Sequence, residues 1–82
     1  MAALKFPTGA VVPTDTLIDL MIWDYPNEEG TDTVIQLFAQ NNAGERFVVL
    51  ELLGEENRAT VEAKRDALAT HLWGTVTDIA TI

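Results

Sequence analysis

The stretch that decides the fold is Thr16–Leu53, TLIDLMIWDYPNEEGTDTVIQLFAQNNAGERFVVLELL. It contains three apolar, β-rich segments, Thr16–Tyr25, Thr33–Gln40 and Arg46–Leu53, which are typical of strands. The two connecting segments, PNEEGTD and NNAGE, are rich in Pro, Asn and Gly, which favour turns. Two hairpins in succession predict a three-stranded antiparallel meander.

Downstream of the third segment the apolar pattern changes to the period of a helix. Val61, Leu68 and Leu72 fall on one stripe of a helix that we predict to run from Asn57, its N-cap, to Gly74, the glycine that ends it. Such a helix is about 25 Å long and can cross one face of a three-stranded sheet. Residues 75–82, TVTDIATI, are the candidate for a fourth strand. The fold class is therefore α+β, of order β-β-β-α(-β).

Upstream of the meander, the sequence changes character again. Residues 1–15 contain Pro7, Gly9 and Pro13 and predict an N-terminal arm with, at most, a short edge strand at residues 10–12. Residues 16–82 form the single predicted domain, because the chain is too short for two hydrophobic cores.

The predicted sheet is apolar on both of its faces. Side chains alternate across a strand, and we take Tyr25 to pair with Asp32 and Gln40 with Phe47, as the turn lengths suggest. One face then carries no polar residue in its strand bodies, and we expect the helix to cover it: Ile18, Leu20, Ile22, Ile35, Leu37, Ala39, Val48, Leu50 and Leu52. The opposite face is also mostly apolar, with Asp19, Gln36 and Glu51 set among the hydrophobic residues.

One helix cannot cover two faces, so something else has to cover the second. The arm folds back over it with Leu4, Phe6, Val11 and Val12, or the C-terminal tail covers it, or the face is a protein–protein interface. We favour the interface, and a homo-oligomer before a partner of another kind, since large aromatic residues are enriched in interface cores. The predicted interface residues are Leu17, Met21, Trp23, Tyr25, Val34, Phe38, Phe47, Val49 and Leu53.

The composition argues against most enzyme classes. The 82 residues include no Cys, no Ser and one His, so the common triads and Cys- or multi-His metal sites have no ligands or nucleophiles. The five glycines are ten or more residues apart, which excludes a glycine-rich phosphate loop. We therefore expect a non-catalytic protein without a metal or a cofactor.

The charge balance restricts the partners. Five Lys and Arg residues against 13 Asp and Glu residues give a net charge of −8, which repels nucleic-acid backbones and anionic membranes. The longest apolar runs are four residues, and the N-terminal sequence is a poor signal peptide, so we expect a cytoplasmic protein.

The same acidity suggests a second function. Small acidic proteins of phages or mobile elements can inhibit a nucleic-acid-handling host machine by occupying a basic surface. This alternative predicts a continuous negative surface, whose residues would be Glu28, Glu29, Asp32, Glu55, Glu56 and Glu62.

Overall fold

The computed structural model describes residues 2–82, and it confirms the α+β class and the predicted meander. The main sheet has three antiparallel strands that neighbour one another in chain order, and a two-stranded hairpin precedes it. One helix packs on the sheet, and the smallest dimension of the Cα trace is 19 Å, the thickness of two layers. The elements are β1 (Ala3–Lys5), β2 (Val11–Pro13), β3 (Leu17–Pro26), β4 (Thr33–Asn41), β5 (Arg46–Leu53) and α1 (Arg58–Trp73).

The helix has the predicted bounds. Gly74, at φ 81°, ends it in a backbone conformation that favours glycine, and its N–H donates to the carbonyl of Thr70. The expected N-cap works differently, because the Asn57 side chain donates to the backbone carbonyl of Leu53 at 2.8 Å and makes no bond to the first turn. Asn57 therefore ties the start of the helix to the end of β5.

The pairing of β3 with β4 differs from the predicted register by two residues. Tyr25 pairs with Val34, and not with Asp32. The turn fixes this register, since the Asn27 backbone N–H donates to the Asp32 carbonyl, and its side-chain oxygen accepts from the N–H of Thr31. A shift of two residues keeps every side chain on its predicted face.

Two β-bulges place some side chains on the face opposite to the predicted one. In β3, Ile18 is passed over between the Leu17–Asn41 and Asp19–Gln40 pairs. In β5, Val49 is passed over, so Phe47 pairs with Ala39 and not with Gln40 as predicted. A bulge adds one unpaired residue and reverses the alternation beyond it. Leu17 and Phe47 consequently lie on the side of the sheet that the helix covers.

Two buried clusters form the core on that side. Ile35 and Leu37 of β4 pack against Val61 of α1, and all three are fully buried. Around them lie the half-buried residues Leu20, Ile22, Val49, Leu50 and Leu52.

The second cluster joins the N-terminal hairpin to the same side of the sheet. Phe6 and Val12 are buried with Leu17 and Ala39, and Leu72 of α1 contacts the cluster. The Phe6 and Phe47 rings stack with their centroids 5.2 Å apart. The N-terminal arm thus covers the part of the helix-side face that the helix leaves open, and not the opposite face.

The fourth strand is not formed. Residues 75–82 contain a short 3₁₀ turn at Ile79–Thr81, started by the Asp78 carboxylate, which accepts from the Ala80 N–H at 2.9 Å. Val76, Ile79 and Ile82 are exposed. These residues form a local turn capped by Asp78 and not a strand that pairs with the sheet.

The part of the chain that the structure describes includes no helix with the length and apolar character to cross a membrane.

Candidate functional site

The face of the sheet opposite the helix, which we call the open face, is the candidate functional site. Both buried clusters lie on the other side of the sheet. The register places four cross-strand rows on the open face, each with one residue from β3, β4 and β5. In order along the strands, the rows are Tyr25–Val34–Leu53, Trp23–Gln36–Glu51, Met21–Phe38–Val48 and Asp19–Gln40–Arg46.

Large apolar side chains of the open face remain in contact with solvent. The exposed fraction is 37% for Met21, 44% for Trp23, 42% for Tyr25 and 53% for Leu53. Val34 and Val48 are half-buried beside them. A sheet face that meets water alone is normally polar, so this face has the character of a contact surface.

An aromatic pair covered by a cation forms the centre of the open face. The Trp23 and Phe38 rings meet edge to face, with centroids 5.0 Å apart. The Arg46 guanidinium lies 4.8 Å from the Trp23 centroid and 5.3 Å from that of Phe38. Phe38 is only 2% exposed as a result. Arg46 is the first residue of β5, so its side chain extends across β4 to reach the Trp23 ring on β3.

A hydrogen-bonded carboxylate lies next to this pair. Oε1 of Glu51 accepts from the Tyr25 hydroxyl at 2.9 Å and from Nε2 of Gln36 at 3.2 Å. The hydrogen bond to Glu51 raises the pKa of the Tyr25 phenol above its ordinary value. Both bonds end on one oxygen, and Oε2 accepts no hydrogen bond from any residue between 2 and 82.

The structure brings six of the nine predicted interface residues together on the open face: Met21, Trp23, Tyr25, Val34, Phe38 and Leu53. The other three are corrected. Leu17 and Phe47 are turned to the helix side by the bulges and contact the Phe6 cluster, and Val49 packs between the two buried clusters. Burial against the N-terminal hairpin and α1 is the physical reason, because it removes these side chains from water within one chain.

Arg46 is a residue of the open face that was not among the predicted interface residues. The bulge at Val49 alone puts Arg46 on the open face, and nothing in the run Phe47–Leu50 marks a bulge. An arginine next to a face with Trp and Phe residues is the one signal that could have indicated it.

The predicted acidic residues lie near one end of the sheet. Glu28, Glu29 and Asp32 are exposed in the β3–β4 turn. Glu55 and Glu56 precede α1 at the same end, since the Gly54 N–H donates to the Thr33 carbonyl at 2.7 Å. Glu62 is half-buried one turn into α1. Glu55 is neutralised locally by Arg58, whose Nη2 lies 2.6 Å from its Oε1.

Within residues 2–82 there is no group of three or more His, Asp or Glu side chains arranged to hold a metal ion. No family model matches this chain, and neither a curated protein nor a solved structure is significantly similar to it. What the open face does is therefore inferred from its own geometry.

Proposed function

We propose that this chain is a non-catalytic interaction module that self-associates through the open face. One observation carries the proposal: Met21, Trp23, Tyr25 and Leu53 are each more than one-third exposed on one continuous sheet face. The hairpin and the helix, the two elements that bury apolar surface, both pack on the other side.

The face has the size that a specific interface needs. Three strands of about eight residues present on the order of 500–800 Å² per copy, compared with about 800 Å² per partner in a standard complex. Burying the exposed parts of the four large side chains stabilises each copy by roughly 4 kcal/mol before the cost of association. For an 82-residue chain this is a large addition to the free energy of folding.

A second copy fits the charges of the face better than a strongly basic partner does. The 13 acidic residues give the chain its charge of −8, but the open face holds only two of them, Asp19 and Glu51, together with Arg46. A nearly balanced face attracts neither a strongly basic nor a strongly acidic partner. Charges of both signs on one patch allow the patch to pair with itself, as a two-fold dimer requires.

Light scattering and sedimentation test the proposal. The wild-type chain is expected to run at twice 9.0 kDa at tens of micromolar and to dissociate on dilution. Met21→Glu introduces a charge beside the aromatic pair and is expected to give a folded monomer, because an unpaired charge in an apolar contact is costly.

Val11→Glu is the matched control. It makes the same change of charge at an even more exposed apolar side chain, 64% against 37%, on the N-terminal hairpin. It is expected to leave the dimer intact. A wild-type chain that stays monomeric at high concentration, or a Met21→Glu chain that still dimerises, contradicts self-association through this face.

A second candidate function is that of an acidic phage or mobile-element accessory protein that occupies a basic surface of a nucleic-acid-handling machine. The grouping of Glu28, Glu29, Asp32 and Glu55–Glu56 near one end of the sheet favours it. Such an acidic end is separate from the open face. Substituting Glu28 and Glu29 by Gln would weaken this binding and would not weaken self-association.

A further inference from the structure

We propose that the two copies of the dimer are related by a two-fold axis parallel to β4, and that Arg46 of each copy pairs with Glu51 of the other. The inference rests on the proposed self-association and adds its orientation and its specificity-determining pair. It follows from the order of the rows, the position of the Arg46 guanidinium and the free oxygen of Glu51.

All four rows match at once only in this orientation. Apolar rows (those of Tyr25 and Met21) alternate with rows that contain charges (those of Trp23 and Asp19). A two-fold axis parallel to the strands keeps each row level with its own copy, and it places β3 of one chain over β5 of the other. Apolar rows then meet apolar rows, and Val34 and Phe38 of β4 lie on the axis.

An axis perpendicular to the strands that keeps all four rows in contact produces a mismatch. The row of Tyr25 would then cover the row that holds Asp19 and Arg46, so charged groups would be buried against Tyr, Val and Leu side chains without partners. Desolvating unpaired charges opposes association. Moving that axis by one row matches the apolar rows but leaves one row without a counterpart.

The axis along β4 brings opposite charges to the same place. It exchanges β3 and β5, so Glu51 of the second copy lies over β3 at the level of Trp23. The Arg46 guanidinium already lies there, 4.8 Å from the Trp23 ring, and forms no ion pair with any residue of the described chain. Oε2 of Glu51, which accepts no hydrogen bond within the chain, is then available to the arginine.

A charge-exchange experiment tests the pair. Glu51→Arg places two arginines opposite each other in the homodimer, and Arg46→Glu places two glutamates. Each variant is expected to dimerise at least about 10-fold more weakly than the wild type, because like charges face each other across the contact. Mixing the two variants restores both attractive pairs, so the heterodimer is expected to form with near wild-type affinity.

Glu29→Arg is the control, since it changes the net charge as Glu51→Arg does but lies in the exposed β3–β4 turn. It is expected to dimerise at least as well as the wild type. Far-UV circular dichroism of each variant establishes that the chains are folded, and sedimentation velocity measures the assembly.

The outcomes separate the orientation from the function. Single variants that become monomers and do not associate on mixing overturn the axis along β4 while self-association through the face stands. Single variants that dimerise like the wild type overturn the Arg46–Glu51 pair. A monomeric wild-type chain overturns the proposed function itself.

Discussion

Arg58 joins the start of the helix to the sheet. Its Nη2 lies 2.6 Å from Oδ2 of Asp24 on β3 and 2.6 Å from Oε1 of Glu55 in the preceding turn. The hydrogen bond from Arg58 lowers the pKa of the Glu55 carboxyl below its ordinary value of 4.5 and, reciprocally, raises the pKa of the guanidinium. The stabilisation from Glu55 is therefore present at neutral pH and depends on its ionisation.

The pH dependence of this pair can be measured with Glu55→Gln. Because the folded pKa is the lower one, the contribution of Glu55 is complete above about pH 4.5 and is lost as the pH falls through the folded value. The wild type is expected to unfold at higher denaturant concentration than Glu55→Gln at pH 7, and the difference is expected to disappear in acid. Urea unfolding curves between neutral and acidic pH provide the measurement.

Glu56→Gln serves as the control, since Glu56 forms no ion pair among the residues that the structure describes. It is expected to show no such pH-dependent difference. A difference between wild type and Glu55→Gln that stays constant down to strong acid would argue against the assigned cause.

Individual residues also show why the site could be predicted only in part. In β3, Met21, Trp23 and Tyr25 are each two residues apart and therefore share one face of the strand. That face was predicted correctly. At the other ends of the strands, Leu17–Ile18 and Phe47–Leu50 are continuous apolar runs. Such runs are compatible with either face. Tertiary packing therefore determines where the bulges lie, and no local sequence pattern predicts them.

Among the elements, the N-terminal hairpin adds buried residues to the core formed by the meander and the helix. Phe6 is 4% exposed, stacks on Phe47 and closes the cluster around Leu17 and Ala39. Pro7 and Gly9, which predict an irregular arm, belong to the tip of the hairpin, where the Gly9 N–H donates to the Phe6 carbonyl. Residues 3–13 thus supply one side of the core.

Phe6→Ala tests this role of the hairpin. Removing a buried Phe side chain costs about 3–5 kcal/mol, which is a large part of the free energy of unfolding of so small a domain. The variant is expected to melt at a much lower temperature or to be unfolded, and Phe6→Leu, which fills part of the space, is expected to lie between it and the wild type. Thermal melts followed by circular dichroism distinguish the three.

Lys5→Ala removes an exposed side chain of the same hairpin and is expected to change the free energy of unfolding by less than about 0.5 kcal/mol. If Phe6→Ala behaved like Lys5→Ala, the hairpin would not be part of the core.

The elements themselves were largely predictable from the sequence. Alternation and turn residues located β3, β4 and β5, and the stripe of Val61, Leu68 and Leu72 located α1. The strand β1 and the structure of the tail were not, and β2 was indicated at most as a short edge strand at residues 10–12. Three-residue strands carry too little alternation to predict, and the Asp78 turn competes locally with the extended backbone of a strand.

For the whole molecule, the distribution of charge predicts how salt affects assembly. Two copies of net charge −8 repel each other, and the repulsion acts mainly between exposed groups outside the open face. The apolar contact does not depend on charge. Raising NaCl from about 0.05 M to about 0.5 M shortens the screening length and is expected to strengthen the dimer.

Sedimentation equilibrium over that salt range measures the effect. An acidic inhibitor bound to a basic partner behaves in the opposite way, since screening weakens an attraction between unlike charges. A dimer that weakens steeply with salt would show that ion pairs, and not the apolar rows, hold the copies together.

The bulge at Val49 also has a genetic consequence. Loss of this one codon would remove the extra residue and leave strict alternation along β5, with Phe47 still opposite Ala39 and Arg46 still opposite Gln40. A three-nucleotide deletion would thus keep the two faces of the strand as they are and remove only the Val49 side chain that packs between the two buried clusters. Deleting Glu51 or Leu52, which are paired residues, would instead turn part of the strand over, so β5 is expected to tolerate a one-residue deletion at Val49 better than at either of those codons.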